Sequence, residues 1–295
     1  MSVFERALKS LKTNGAPQRR VSPVASVVGK HGKPVVEDSR GNRVSIALRP
    51  ERHVEFDLAA LRRAGLYASG NERLADEYRI IKRPLLKKAR EQNGISNERA
   101  NLIMVASAIA GEGKTFTSVN LSMSLASEKD WQVLLVDVDC KNPQLSRLLG
   151  VRDEPGLLDF LREPAMTLDS VVLATSVERL NVLPLGTPSE DAAELLASAR
   201  MSELCSSLAS AEKHIVVFDS SPLLLTTEPV VLSSQVGQVV VVVNAYKTPQ
   251  QAVEEAVEKL DESLAIGLIL NRISPEEGVL RYGGYAYGSY PQTAE

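Results

Sequence analysis

The chain is predicted to be an α/β protein with a doubly wound, mostly parallel sheet and helices on both faces. Three observations carry that prediction. From residue 101 onward, strand-like and helix-like segments alternate. Many of the strand-like segments are continuous Val/Ile/Leu runs rather than alternating ones, as expected of strands covered on both sides. The first strand–helix junction holds a glycine-rich stretch, ASAIAGEGKTFTS, at residues 106–118.

The elements follow in order. Strands are expected at 101–107, 132–138, 180–184, 214–219, 238–244 and 266–271, and helices at 115–128, 144–149, 156–162, 191–210 and 249–263. Upstream, residues 57–66 and 71–90 read as helical. In the second of these, Leu74, Tyr78, Ile81 and Leu85 form an apolar stripe, while Asp76, Arg79 and Arg83 share another face at spacings of three and four. Pro84 should kink or locally disrupt that helix. Near the N-terminus Val3, Ala7, Leu8 and Leu11 recur at helical spacing, predicting a short amphipathic helix. Residues 13–50 mix Gly, Pro, Ser and charge with little period and read as a linker. The expected organisation is an N-terminal helix and basic linker over 1–55, a nucleotide-binding domain over 56–280 and a tail over 281–295.

The junction has the chemistry of a phosphate cradle. Leu102–Val105 reads as a buried strand, and Ala108-x-x-x-x-Gly113-Lys114-Thr115 is a P-loop in which alanine stands for the usual first glycine. Backbone N–H groups around Ala110, Gly111, Glu112, Gly113, Lys114, Thr115 and Phe116 can wrap phosphate oxygens where the two glycines allow a tight turn. The helix that begins there adds its positive end. Lys114 can reach the β- and γ-phosphates of ATP, and the Thr115 hydroxyl can ligate Mg²⁺.

Two further motifs end strand-like runs in carboxylates: VLLVDVD places Asp137 and Asp139, and HIVVFDSSP places Asp219. In an open parallel sheet ligands collect at the carboxyl ends of strands, so all three should face the loop that holds Lys114. Positions 137 and 139 project to the same side if strand geometry persists. One can serve Mg²⁺ while another takes a proton from an attacking hydroxyl; which does which stays open.

Composition bounds the rest. The formal net charge of −3 makes no global case for nucleic-acid binding, although residues 1–50 hold ten Lys or Arg against three Asp or Glu. Two isolated cysteines, Cys140 and Cys205, read as reduced thiols, and three histidines fit no metal-ligand spacing. No stretch reaches the roughly 18 apolar residues of a membrane span, and the N-terminus lacks the apolar core of a signal peptide. The expectation is a cytoplasmic chain, recruited to the inner face of the membrane.

The chain ends RYGGYAYGSYPQTAE. Four of its seven tyrosines, Tyr282, Tyr285, Tyr287 and Tyr290, fall within the last fourteen residues among Gly, Ala and Ser. Such a segment cannot pack a core, and its tyrosines are spaced to be reached one at a time. A tail of this kind can deliver a hydroxyl to the active site of a neighbouring subunit for in-line attack on a γ-phosphate.

AIAGEGKT, LLVDVDCKNP and VVFDSSP resemble the Walker A, Walker A′ and Walker B motifs of bacterial tyrosine kinases, the P-loop autokinases of polysaccharide export. The resemblance extends over about residues 71–290 and includes LPLGTPSEDAAELLAS and LILNRI. DEYRIIKRPLL is similar to the family's oligomerisation helix, implying that Asp76, Arg79, Lys82 and Arg83 join subunits into a homo-oligomer such as a ring. Its form, with the short N-terminal helix, resembles the autokinases encoded with exopolysaccharide and exosortase loci. The resemblance implies ATP-dependent autophosphorylation of the tail tyrosines and control of exopolysaccharide synthesis and export. It also implies a membrane polysaccharide co-polymerase (chain-length protein) as activator and a phosphotyrosine phosphatase as counterpart. Asn271, with Arg272, is expected near the nucleotide base. Lys141 stands where the family shows arginine, and a lysine cannot make a planar bidentate phosphate contact.

Two other readings compete. Partitioning ATPases share the loop but carry a signature lysine near its start, where this chain has Ile109 beside Ala110. A non-enzymatic nucleotide-sensing adaptor is opposed by the intact Lys114, Thr115, Asp137, Asp139 and Asp219.

Overall fold

The computed structural model describes residues 48–56, 61–62, 72–91 and 99–273. The predicted N-terminal helix, nearly all of the linker, most of the 57–66 helix and the tyrosine tail lie outside the described residues.

Eight strands form one sheet. They are β1 (Arg52–Val54), β2 (Leu102–Ser107), β3 (Gln132–Asp137), β4 (Leu173–Thr175), β5 (Leu180–Leu183), β6 (His214–Asp219), β7 (Gln238–Asn244) and β8 (Ala265–Asn271). Their order is β1-β4-β5-β3-β6-β2-β7-β8, with all neighbours parallel except β4 and β5. The helices are α1 (Glu72–Arg90), α2 (Lys114–Ala126), α3 (Gln144–Leu148), α4 (Leu157–Arg162), α5 (Leu168–Val171), α6 (Ala192–Leu196), α7 (Ala199–Ser210), α8 (Glu228–Ser233) and α9 (Gln250–Glu258).

The period-2 geometry of each strand sorts its side chains between two cores. Ile103, Val105, Val133, Leu135, Ile215, Val217, Val240 and Val242 pack on one face with Tyr78, Leu85 and Leu86 of α1 and Val119, Leu121 and Leu125 of α2. Leu102, Met104, Leu134, Val136, Val216, Phe218, Val239 and Val241 point the other way, onto Leu157 of α4, Met201, Leu204 and Leu208 of α7, Leu232 of α8 and Ala256 of α9. Helices on both faces of a mostly parallel sheet are the doubly wound arrangement that the continuous apolar runs predict.

Six strands lie where the sequence places them. Two are additional: β1 and β4 are three residues long and carry little periodicity to read. Arg52–Val54, within the segment assigned to the linker, pairs in parallel register with Leu173–Thr175. The helix expected over 191–210 is two. Ser198 adopts an extended conformation and its hydroxyl accepts from the Met201 N–H at 3.2 Å, capping α7 and separating it from α6. The helix expected over 249–263 ends at Glu258. The short helices α5 and α8, of four and six residues, are too brief to show a helical period in the sequence. Pro84 does not break α1, which is assigned as one helix through it.

Candidate functional site

The carboxyl ends of β2, β3 and β6 meet at one edge of the sheet. Register alone brings two predicted residues together, because Asp137 of β3 pairs with Asp219 of β6, and Asp219 with Val105 of β2. The loop after β2 then turns over these ends.

That turn needs both glycines. Gly111 and Gly113 have φ of +79° and +101°, a region costly to residues with a Cβ. A Cβ at Gly113 would also lie 2.2 Å from Nδ2 of Asn271. Asn271 thus closes on the loop from the end of β8, donating to the Glu112 carbonyl oxygen at 2.8 Å.

Lys114 opens α2 and is buried. Burial lowers its pKa, opposed by the charges of Asp219, Asp139 and Glu112. Asp219 is fully buried and accepts from the Ser118 hydroxyl at 2.9 Å and from the Thr115 side chain. Its pKa is pushed up to about 7, first by burial and then by Asp137. Asp137 is pushed up to about 6, again mainly by burial. Its Oδ2 accepts from the Ser146 N–H at 2.8 Å and the Ser146 hydroxyl at 2.7 Å, while Oδ1 accepts from the Asp139 N–H at 3.1 Å. Asp139 is the half-buried member of the three; its Oδ1 accepts from the Asn142 N–H at 3.1 Å, and burial raises its pKa too. Three carboxylates under the positive end of one helix, with a single buried ammonium among them, suit a triphosphate accompanied by a divalent cation. Among the described residues, no three His, Cys, Asp or Glu side chains are grouped to hold a metal by themselves. A cation here would draw further ligands from phosphate oxygens, as Mg²⁺ commonly does.

The other predicted residues divide. Phe116 lies in the first turn of α2, and its ring packs toward Tyr78 of α1, with centroids 6.4 Å apart. Its side chain therefore joins the core, leaving only the backbone N–H available to a bound anion. Lys141 is exposed, and its ammonium lies 3.9 Å from the Glu228 carboxylate at the start of α8. In α1, Asp76 and Arg79 form an exposed ion pair, and Arg83 is also exposed. Lys82 departs from the expectation. Its side chain is buried and turned inward, donating to the Ser124 carbonyl oxygen at 2.7 Å and the Ser127 hydroxyl at 3.0 Å. It also lies 2.8 Å from the Glu128 carboxylate. An ammonium so placed satisfies the open carbonyl end of α2 and is unavailable to a second subunit. The tail tyrosines Tyr282, Tyr285, Tyr287 and Tyr290 lie outside the described residues.

Sequence reasoning missed Ser118, Ser146 and Thr248, the last of which donates its hydroxyl to the Glu112 carboxylate within the turn. Ser118 follows Thr115 by three positions, so helical spacing alone could have put it beside the same carboxylate. Ser146 and Thr248 reach the site only through tertiary contacts and leave no local signal.

Residues 103–283 match the CobQ/CobB/MinD/ParA nucleotide binding domain family. Tyrosine-protein kinase YwqD of Bacillus subtilis is 31% identical over 171 residues, 57% of this chain and 71% of that protein. Tyrosine-protein kinase ptk of Acinetobacter johnsonii is 29% identical over 181 residues, 61% of this chain and 24% of that protein. The chain thus spans about a quarter of the length of some curated relatives and most of others. Among solved structures, the VpsO kinase domain superposes with a TM-score of 0.56 at 27% identity, covering 70% of this chain and 100% of that one. With the phosphate-binding turn and the carboxylates at one sheet edge, these matches make the chain a nucleotide-binding domain of the CobQ/CobB/MinD/ParA family and, within it, a member of the bacterial tyrosine-protein kinases.

Proposed function

We propose that the chain is an ATP-dependent protein-tyrosine autokinase that phosphorylates Tyr282, Tyr285, Tyr287 and Tyr290 of a neighbouring copy. The observation that carries this reading is the convergence of Lys114, Thr115, Asp137, Asp139 and Asp219 at one sheet edge, in a chain whose last fourteen residues hold four tyrosines. ATP with Mg²⁺ supplies the transferable phosphoryl group. The loop N–H groups and Lys114 hold the phosphates and offset charge developing on them. Thr115 and Asp219 stand where they can orient the cation, directly or through water.

The acceptor hydroxyl forms a new O–P bond as the bond between the γ-phosphorus and the β–γ bridging oxygen breaks; its proton passes to a carboxylate. Asp139 is the best placed for that transfer. Asp137 and Asp219 are buried, whereas Asp139, which also accepts from the Asn142 N–H, is half-buried and reachable from outside. Its raised pKa suits a proton acceptor.

Each phosphorylation adds about −1.5 to −2 charge near pH 7, so a modified tail is repelled by the acidic site. Tail exchange between subunits held along the exposed Asp76–Arg79–Arg83 face of α1 would then be reversible. Among the described residues no helix is long and apolar enough to cross a membrane; the partner proposed for control of exopolysaccharide export is a membrane activator. A polysaccharide chain-length protein and a phosphotyrosine phosphatase complete the proposed cycle.

Incubation with ATP and Mg²⁺, followed by intact-protein and peptide mass spectrometry beside Lys114→Ala, tests the reading. Phosphate on the C-terminal tyrosines in wild type alone is the expected result. ATP turnover with an unmodified tail would overturn it in favour of a partitioning-type ATPase.

A further inference from the structure

Glu112 is a buried acid at the centre of the phosphate-binding turn, and its side chain has no part in the chemistry above. It is 1% exposed and sits between the two glycines with positive φ. Its Oε2 accepts from the Ile109 N–H at 2.7 Å, across the turn itself. Its Oε1 faces the loop between β7 and α9, accepting from the Asn244 N–H at 3.2 Å and from the Thr248 hydroxyl. The Glu112 carbonyl oxygen accepts from Asn271 at the end of β8. One residue therefore ties together three segments that lie far apart in sequence. Ser107 closes the near side of the turn, its hydroxyl donating to the Ile109 carbonyl oxygen at 2.7 Å.

We propose that the Glu112 side chain is a positioning residue, locking the phosphate-binding turn to the β7–α9 loop so that nucleotide meets a preformed site. The proposal rests on the reading that the chain binds ATP. A turn with two glycines has many accessible conformations, and ordering it on binding would weaken affinity. A buried carboxylate needs donors around it, and here they come from both sides of the junction, so the charge is satisfied only when turn and loop are docked. The Thr248 hydroxyl is the side-chain half of that connection and can be removed without touching the turn.

The experiment uses the full chain. A fluorescent ATP analogue reports nucleotide Kd, steady-state tail phosphorylation gives KM and kcat, and thermal unfolding without nucleotide reports the fold. Glu112→Gln puts an amide nitrogen against an N–H or a hydroxyl donor. Its Kd and KM are expected to rise about tenfold, the order expected for losing a hydrogen bond to an ionised group, with kcat little changed. Thr248→Val should move the same way by a smaller factor, and Thr248→Ser should restore wild-type values. Adding Thr248→Val to Glu112→Gln should cost less than it does in wild type, because the contact is already broken. A merely structural residue would lower kcat through a smaller folded fraction and leave KM and Kd unmoved. Folded variants with wild-type Kd, or Thr248→Ser as impaired as Thr248→Val, would overturn the coupling while ATP binding stands. A wild-type chain that binds no analogue would overturn the nucleotide reading along with it. If Glu112→Gln fails to fold, the two Thr248 variants decide.

Discussion

The Lys82 ammonium lies 2.8 Å from the Glu128 carboxylate and 2.7 Å from the Ser124 carbonyl oxygen, pinning α1 to the carbonyl end of the helix whose other end forms the phosphate site. The same ammonium holds Glu128 below the usual carboxylate range through their hydrogen bond. Lys82→Met leaves the end of α2 and the Glu128 charge without their partner and is expected to cost about 2–4 kcal/mol. Arg79→Ala, one turn away on the exposed face, should stay within about 0.5 kcal/mol. Urea unfolding of the two variants tests the contrast; equal, small losses would mean that Lys82 is not a latch.

Gly113→Ala combines two penalties. Its φ of +101° strains a residue with a Cβ, and the new methyl would displace Asn271 from the Glu112 carbonyl oxygen. A loss of about 1–3 kcal/mol in stability is expected, and nucleotide binding should weaken by roughly tenfold or more as the turn shifts. Chemical denaturation and analogue titration read the two effects separately.

Ser146→Ala tests the support of the second carboxylate. The hydroxyl donates to Asp137 at 2.7 Å and accepts from the Leu185 N–H at 3.1 Å, so its removal leaves both buried groups short of a partner. The expected cost is about 1–3 kcal/mol, measured by urea unfolding. A loss below about 0.5 kcal/mol would mean that water replaces the hydroxyl without penalty.

The Asp219 carboxyl has a pKa of about 7 in the folded chain, against about 3.9 when unfolded. Between these values the native state binds more protons than the unfolded one. Stability therefore falls as pH rises from about 4 to about 7, and the loss is complete above that window. Asp219→Asn has no such group to ionise. Unfolding free energies of the nucleotide-free proteins should thus diverge in favour of the variant across this range and run parallel above it. A difference independent of pH would count against the buried-acid account.

The site was legible in part. The glycines, Lys114 and Thr115 could be read because a phosphate turn uses adjacent residues whose types follow from local backbone geometry. The aspartates could be read because each ends an apolar run. Lys82 misled because the resemblance, and not its register, carried its assignment: four residues after Tyr78 and three before Leu85, it stands on the buried face of α1, where its ammonium meets α2. The division of 191–210 into α6 and α7 depended on one serine cap within an otherwise helical pattern.

Local pattern by itself determined the alternation of strand and helix, the burial of the central strands and the phosphate turn, since each depends on residues near one another in sequence. Tertiary structure decided the edge pairing of β1 with β4, the in-register meeting of Asp137 and Asp219, the burial of Lys82, and the bridge from Glu112 to Asn244, Thr248 and Asn271. These depend on which segments the sheet order makes neighbours. Partners forty or more residues apart share no local period, and the free energy of a buried polar group is set by whichever partner the fold supplies.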